Sequence, residues 1–305
     1  MPEDKIPTRP IGPGLHVVST PIGNLGDLSD RARQVLNQAD RVLCEDTRVT
    51  GRLLSHLGIR TSLTPYHDHN AAQIRPEVLS ALENGATIAL VSDAGTPLVS
   101  DPGYKLVRAC REAGLPVTAV PGPSAVLAAL AICGLPTDRF FFAGFPPAKS
   151  GAAERLYRSV AALPATLVFY ESTKRLGKSL AAMAPIFGNR DAAVCRELTK
   201  LFEETVRGSL PDLAAKYGSE AAPKGEAVIL IGPPLSPEEG GVEAGPGWEE
   251  QLAEALDQGL TVRDAADLVA AQTGRPRRPI YQRALALAQN PAKDRTNPSE
   301  PDPTA

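Results

Sequence analysis

Leu90-Val91-Ser92-Asp93-Ala94-Gly95-Thr96-Pro97-Leu98-Val99-Ser100-Asp101-Pro102-Gly103 continues an apolar run, Ile88 to Val91, that reads as a buried strand. The run breaks into small, polar and turn-forming residues before a helical pattern resumes at Tyr104. In open α/β sheets ligands collect beyond the carboxyl ends of strands. Asp93, Gly95 and Thr96 fall just past such an end and are candidate binding residues, with glycine permitting close backbone approach. A tight strand-to-helix turn would carry the same residue types for conformational reasons alone.

Working outward, the same alternation repeats. Leu15 to Ser19 is a short apolar strand ending in Thr20-Pro21-Ile22-Gly23-Asn24-Leu25-Gly26-Asp27, and Asp27 or Ser29 can cap the helix that follows. Val42 to Cys44 is a second strand leading into Glu45-Asp46-Thr47-Arg48. Strand 62–65, helix 71–84, strand 86–91, helix 104–113 and strand 116–120 complete a pattern that predicts a parallel α/β sheet. Pro121-Gly122-Pro123-Ser124 opens an alanine-rich helix, Ala125 to Cys133, whose small residues predict close packing on both sides; we place the hinge between domains here.

A second alternating unit spans strand 140–145, helix 152–162, strand 166–170, helix 174–183, strands 192–196 and 204–206, helix 210–217 and strand 227–231. The domain map is thus a disordered leader over 1–14, α/β domains over 15–121 and 137–232, and a hinge helix over 122–136. A Pro/Gly/Glu-rich linker over 233–247, a helical segment over 248–290 and a disordered tail over 291–305 complete it. In the helical segment Thr261 and Asp264 form a capping box, Ala265, Leu268 and Val269 an apolar stripe, and Gly274 a break before a second helix from about Pro279. Two short helices joined by a turn resemble a helix-turn-helix.

Composition narrows the function classes. With 305 residues and 43% hydrophobic content the chain can bury sizeable cores. A net charge of −3 and a pI near 5.9 mean that any nucleic-acid contact must come from a local basic patch. Arg275, Arg277, Arg278 and Arg283, with Tyr281 among them and no acid between, form such a patch in the sequence. Cys44, Cys110, Cys133 and Cys195 are widely spaced, without a C-x-x-C pair, and read as reduced core residues. The N-terminal residues have no secretion-signal pattern, and no apolar run approaches the roughly 18 residues of a membrane span. These features predict a soluble cytoplasmic protein. His67 and His69, two apart and without a third ligand, read as a polar loop, so no metal is expected.

The first turn superficially offers a dinucleotide fingerprint: Gly23-x-x-Gly26 follows a strand, and Glu45 ends the next one. Pro21, however, stands where the first glycine belongs and offers a carbonyl without an N–H. A loop short of amide donors suits a pyrophosphate badly and a cation better, which points from NAD toward a sulfonium.

Six segments then occur in order: Ser19 to Asp27, Cys44 to Arg48, Ser92 to Gly103, Pro121 to Ala125, Phe169-Tyr170-Glu171-Ser172 and Arg196-Glu197-Leu198-Thr199-Lys200. Together they resemble the ribosomal RNA ribose methyltransferases of the tetrapyrrole-methylase superfamily, over residues 15–232 and into the C-terminal helices. The resemblance implies two α/β domains holding S-adenosylmethionine in the cleft between them, a homodimer, and 2′-O-methylation of a cytidine in the decoding region of 16S rRNA. It implies that Pro21, Asp93, Gly95, Thr96, Ser124, Ala125, Tyr170, Thr199 and Ala227 surround the cofactor. Candidate bases or orienting acids are Glu45, Asp46, Glu171 and Glu197, each of which could instead cap a helix or pair with an arginine. Arg48, Lys149, Arg196 and Lys200 are candidate RNA contacts beside the C-terminal arginines.

The chain departs from the family pattern in three places. Thr173-Lys174-Arg175 replaces Pro-His-Arg, which excludes a histidine base there; Ala71 replaces an acid after His67-Asp68-His69-Asn70; and Ala148 replaces an arginine, leaving Lys149. Competing readings are a tetrapyrrole C-methyltransferase, a non-catalytic RNA-binding assembly factor and, more remotely, a dinucleotide oxidoreductase.

Overall fold

A computed structural model of the chain describes residues 10–219, 225–234, 248–273 and 277–289. The first sheet contains β1 (Gly14–Val18), β2 (Arg41–Cys44), β3 (Leu63–Pro65), β4 (Thr87–Val91) and β5 (Val117–Val120), all parallel in the order β3-β2-β4-β1-β5. It is buried on both faces, and the two-residue period of β4 divides its side chains between them. Ala89 and Val91 join Val18 and Val42 beneath α1 (Asp30–Gln38) and α2 (Thr47–Leu57). Ile88 and Leu90 join Leu15 and Leu43 beneath α3 (Ala71–Glu83) and α4 (Tyr104–Glu112). Ser29 rather than Asp27 caps α1, its hydroxyl accepting the Ala32 N–H at 3.1 Å.

From β1 the chain runs on to β2, on one side of this central pair, whereas from β4 it runs on to β5, on the other. Neighbouring parallel strands whose connections leave in opposite directions open a crevice at their carboxyl ends. The turns 19–26 and 92–103 both lie there.

The second sheet contains β6 (Phe140–Gly144), β7 (Thr166–Ser172), β8 (Asp191–Arg196), β9 (Glu204–Ser209) and β10 (Glu226–Ile231), in the order β6-β7-β10-β8-β9. Only β6 runs parallel to its neighbour; the other pairings are antiparallel. One face packs on α6 (Ser150–Val160), α7 (Thr173–Phe187) and α8 (Leu210–Ser219) around Phe169, Leu176 and Ile229. Helix α5 (Ala125–Cys133) covers the other through Val126, Ala129 and Leu130. Helix α5, expected to pack closely on both sides, is therefore closely packed on one side only, because Leu127 and Ile132 remain 57% and 45% exposed.

Residues Met1–Pro234 form one compact unit and Leu235–Ala305 a second. Among its described residues the second contains three helices where the sequence predicts two: α9 (Trp248–Asp257), α10 (Val262–Thr273) and α11 (Arg277–Gln289). They enclose a core of their own around Leu252, Ala265, Val269 and Ile280. The extra helix α9 carries no strong start signal, whereas the predicted box at the start of α10 is formed, the Thr261 hydroxyl accepting the Asp264 N–H at 3.2 Å.

Candidate active site

Backbone and hydroxyl contacts tie three strand ends together. Thr20 and Gly95 exchange both backbone hydrogen bonds, at 2.9 and 3.1 Å, so the turns after β1 and β4 are joined to each other. The Thr96 hydroxyl donates to the Pro123 carbonyl at 3.0 Å and lies 3.2 Å from that of Ser19, which adds the end of β5. Asp93 accepts the Asp46 N–H at 3.0 Å and fixes the β2–α2 turn to the same point. Gly95, at φ 84°, holds a left-handed conformation that few other residues adopt. Leu98 and Ser100 hold it without being glycine, at φ 72° and 66°, a local strain that structures retain mainly at functional loops.

Opposite these turns, the second sheet and α5 complete a cavity of about 280 Å³. The first sheet contributes Asp93, Gly95, Thr96 and Asp101, α5 and its cap contribute Ala125 and Ser124, and the second sheet contributes Phe145, Tyr170, Glu197, Glu226 and Ala227. Tyr170 packs against Phe142 and Phe145, with ring centroids 4.8 and 5.2 Å away. Burial pushes its phenol up to about 12 and that of the neighbouring Cys195 thiol up to about 11, so both present neutral groups to the cavity. Burial, reinforced by the charges of Glu45 and Asp93, pushes Asp101 up to about 6, while the Ser92 side chain partly offsets the shift. The carboxyl group thus ionises near neutral pH.

This wall suits S-adenosylmethionine. Four carboxyl side chains, Asp93, Asp101, Glu197 and Glu226, complement a sulfonium and an ammonium. The aromatic pair offers a stacking surface for a purine, and the small side chains of Ala94, Ala125 and Ala227 leave room for it. Gly95 keeps the wall open because a Cβ there would press on Ile22 at 3.2 Å.

Seven of the nine residues expected around the cofactor line this cavity: Asp93, Gly95, Thr96, Ser124, Ala125, Tyr170 and Ala227. Pro21 instead lines an adjoining cavity, and Thr199 lies behind Leu198 and Lys200, where a Cβ on Gly23 would meet its hydroxyl at 3.0 Å. Of the expected residues that line the cavity, the two with aliphatic hydroxyls are engaged in the scaffold, Thr96 with Pro123 and Ser124 as the cap of α5.

Among the proposed acids, Glu197 lines the cavity, paired with Lys200 at 3.1 Å. Glu45 is exposed and is not part of the cavity lining, though its charge helps to raise Asp101. Asp46 caps α2 and binds Arg48, whose hydrogen bonds hold it down to about 2, so it is a poor base. Glu171 departs from the expectation: alternation along β7 turns Tyr170 to the cavity and Glu171 to the opposite face, where it is 1% exposed and accepts the Ser179 hydroxyl at 2.5 Å. Asp101 is not among the residues that the sequence points to. Its position in the first quoted stretch was the available signal, but its burial and acidic neighbours are properties of the folded turn.

The basic residues are also more engaged than their sequence context indicates. Arg196 pairs with Glu204 across β8 and β9, where the two are in register. Arg277 pairs with Asp267 of α10, and Arg283 with Glu249 of α9 at 3.2 Å. The run with no acid between its arginines is therefore neutralised in part from neighbouring helices, and Arg278 and Lys149 are left exposed. Arg275 lies outside the described residues. Among the described residues no group of three or more His, Cys, Asp or Glu is placed to hold a metal ion, and no helix is long and apolar enough to cross a membrane.

Residues 14–214 match the tetrapyrrole (corrin/porphyrin) methylases, so the fold and cleft are those of an S-adenosylmethionine-dependent methyltransferase. Solved structures agree at the level of fold. Diphthine synthase superposes with a TM-score of 0.56 at 12% identity, covering 72% of this chain and 89% of its own, and the methyltransferase CobJ with 0.55 at 19%, covering 72% and 94%. Residues 243–288 match the RsmI C-terminal HTH domain. Proteins named ribosomal RNA small subunit methyltransferase I are 46% identical in Mesorhizobium japonicum, over 93% of this chain and 96% of that one. In Escherichia coli O157:H7 the figures are 43% identity, 89% and 94%. The chain belongs to the family of ribosomal RNA small subunit methyltransferase I.

Proposed function

We propose that this chain transfers the methyl group of S-adenosylmethionine to the ribose 2′-hydroxyl of a cytidine in the decoding region of 16S rRNA, acting on the small ribosomal subunit in the cytoplasm. The observation carrying this reading is the joining, in one chain, of a methylase match over 14–214 to a match over 243–288 with the RsmI C-terminal HTH domain, beside relatives named as rRNA methyltransferases. A tetrapyrrole C-methylase needs no such segment, and relatives named as methyltransferases over about nine-tenths of this chain speak against a purely structural assembly factor.

When bound, S-adenosylmethionine supplies a methyl carbon activated by positively charged sulfur. Asp93, Glu197 and Glu226 complement its charge, while Tyr170, Phe145 and the alanines hold its flat base. What remains for the protein is to align the hydroxyl and to receive its proton. Asp101, with Glu45 beside it, is the carboxyl group of the wall able to hold and release a proton near neutral pH. Arg48, Lys149, Lys200, Arg278 and the C-terminal arginines provide phosphate contacts, the paired ones by exchanging an acid for RNA. A homodimer accords with the exposed Leu127 and Ile132 of α5 and Phe140 and Phe141 of β6.

The test uses labelled S-adenosylmethionine and small subunits from cells lacking this gene. Label is expected on a ribose of the small-subunit rRNA; label accepted only by tetrapyrroles would overturn the substrate.

A further inference from the structure

A second cavity, of about 390 Å³, lies beside the cofactor cavity, between the turn after β1 and the exposed side of α2. Asp93 lines both. Ile22 lines the first and Pro21 the second, so one turn forms the partition between them. Such contiguity matters because an attacking oxygen must come within roughly 3–3.5 Å of the carbon that it takes, along the line away from the departing sulfur. A cavity that meets the donor site at a shared side chain can supply that approach.

The second cavity has its own chemistry. Pro21, Leu25, Val49 and Leu53 give it an apolar floor, and Leu25 is 45% exposed there. Arg52 and His56, four residues apart on α2 and therefore on one face, form its basic edge. Both are exposed, and no described acid forms an ion pair with either, in contrast to Arg48, Arg196, Arg277 and Arg283. An unpaired arginine and a histidine above an apolar floor, with a carboxylate at the inner end, match the parts of a nucleotide in order: phosphate, base and ribose.

We infer that this cavity receives the acceptor nucleotide of a single-stranded RNA, with Arg52 and His56 holding its phosphodiester and its ribose directed toward Asp93. The inference rests on the rRNA methyltransferase reading above and adds the place where the substrate binds.

The experiment compares the unaltered full-length protein with Arg52→Ala/His56→Ala and Arg52→Lys/His56→Gln. Small subunits lacking the modification are the substrate. The readouts are KM for subunits, binding of their rRNA at several salt concentrations, and the Kd for S-adenosylmethionine by calorimetry. The double alanine variant is expected to raise KM at least tenfold and to flatten the salt dependence of binding by about one charge, with cofactor Kd unchanged. The second variant, which keeps one charge and two donors, is expected to recover most of the loss. An unchanged KM and salt slope overturns the site. So does an equal loss of cofactor affinity, which would mark a general disturbance of the cleft. If the unaltered protein methylates no RNA, the function reading itself fails, and this site falls with it.

Discussion

Asp101 combines two tendencies that a single side chain seldom carries without cost. Its pKa of about 6 means that the folded chain retains a proton which the unfolded chain has released between about pH 4 and 6. Native stability from this group is therefore present at low pH and is lost as pH rises through that window. Asp101→Asn removes the penalty. Allowing for its partial exposure, the gain is on the order of 1 kcal/mol, or a rise of about 2–3 °C in Tm for the cofactor-free protein at pH 7.5. Scanning calorimetry checks this. The same substitution should weaken S-adenosylmethionine binding several-fold, because the ionised carboxylate helps balance the sulfonium charge. In the unaltered protein, cofactor affinity should tighten as pH rises through about 6 and Asp101 ionises, a dependence that the variant lacks. A variant that binds the cofactor with unchanged affinity and pH dependence would remove Asp101 from the site.

At the scale of elements, the buried Glu171 explains how β7 and α7 shape a cavity that its carboxylate does not reach. It binds Ser179 of α7 and lies 3.3 Å from Arg175, which in turn donates to the carbonyls of Pro146 and Pro147 at 2.9 and 3.2 Å. Phe145, on the cavity wall, directly precedes that proline pair. Glu171→Gln keeps the shape and removes the charge that orients Arg175. It is expected to cost about 1–3 kcal/mol of stability and to raise the cofactor Kd several-fold while leaving kcat at saturating cofactor near normal. A fall in kcat alone would instead return Glu171 to the catalytic group. Element placement was largely readable beforehand: the apolar runs of β1, β4 and β7 and the box opening α10 lie where their periodicity and caps put them. Ends shifted by a few residues where tertiary packing extends an element, as in α7, which continues through Pro185 to Phe187 because Met183 and Phe187 are buried in the second-sheet core.

The whole molecule divides where its cores divide. Among the described residues, the helices from Trp248 on enclose their own apolar side chains, and the four clusters of the α/β unit are built from residues before Pro234. A chain ending at Pro234 is therefore expected to fold, to keep the Kd for S-adenosylmethionine within about twofold, and to lose at least tenfold in kcat/KM on small subunits as its RNA contacts are removed. Calorimetry together with methyl-transfer assays measures both. Retained kcat/KM would show that the helices are dispensable for substrate binding.

The amino-acid order alone determined the alternation of strands and helices and the turn chemistry at Thr20 to Gly26 and Ser92 to Gly103, because these follow from local periodicity and from glycine and proline at strand ends; the family resemblance, not periodicity, pointed to the nine expected cofactor residues, of which seven line the cavity. Only the tertiary structure decided which charged groups are available. Arg196, Arg277 and Arg283 meet acids at separations of 8, 10 and 34 residues along the chain. Asp101 owes its weakened acidity to burial and, beyond its own turn, to Glu45, and Arg52 stands over a cavity whose far wall is Pro21, Leu25 and Asp93, so distant segments contribute to both. At these positions charge is balanced across space as well as along the chain, so part of the pairing and desolvation enters only when separate segments are brought together.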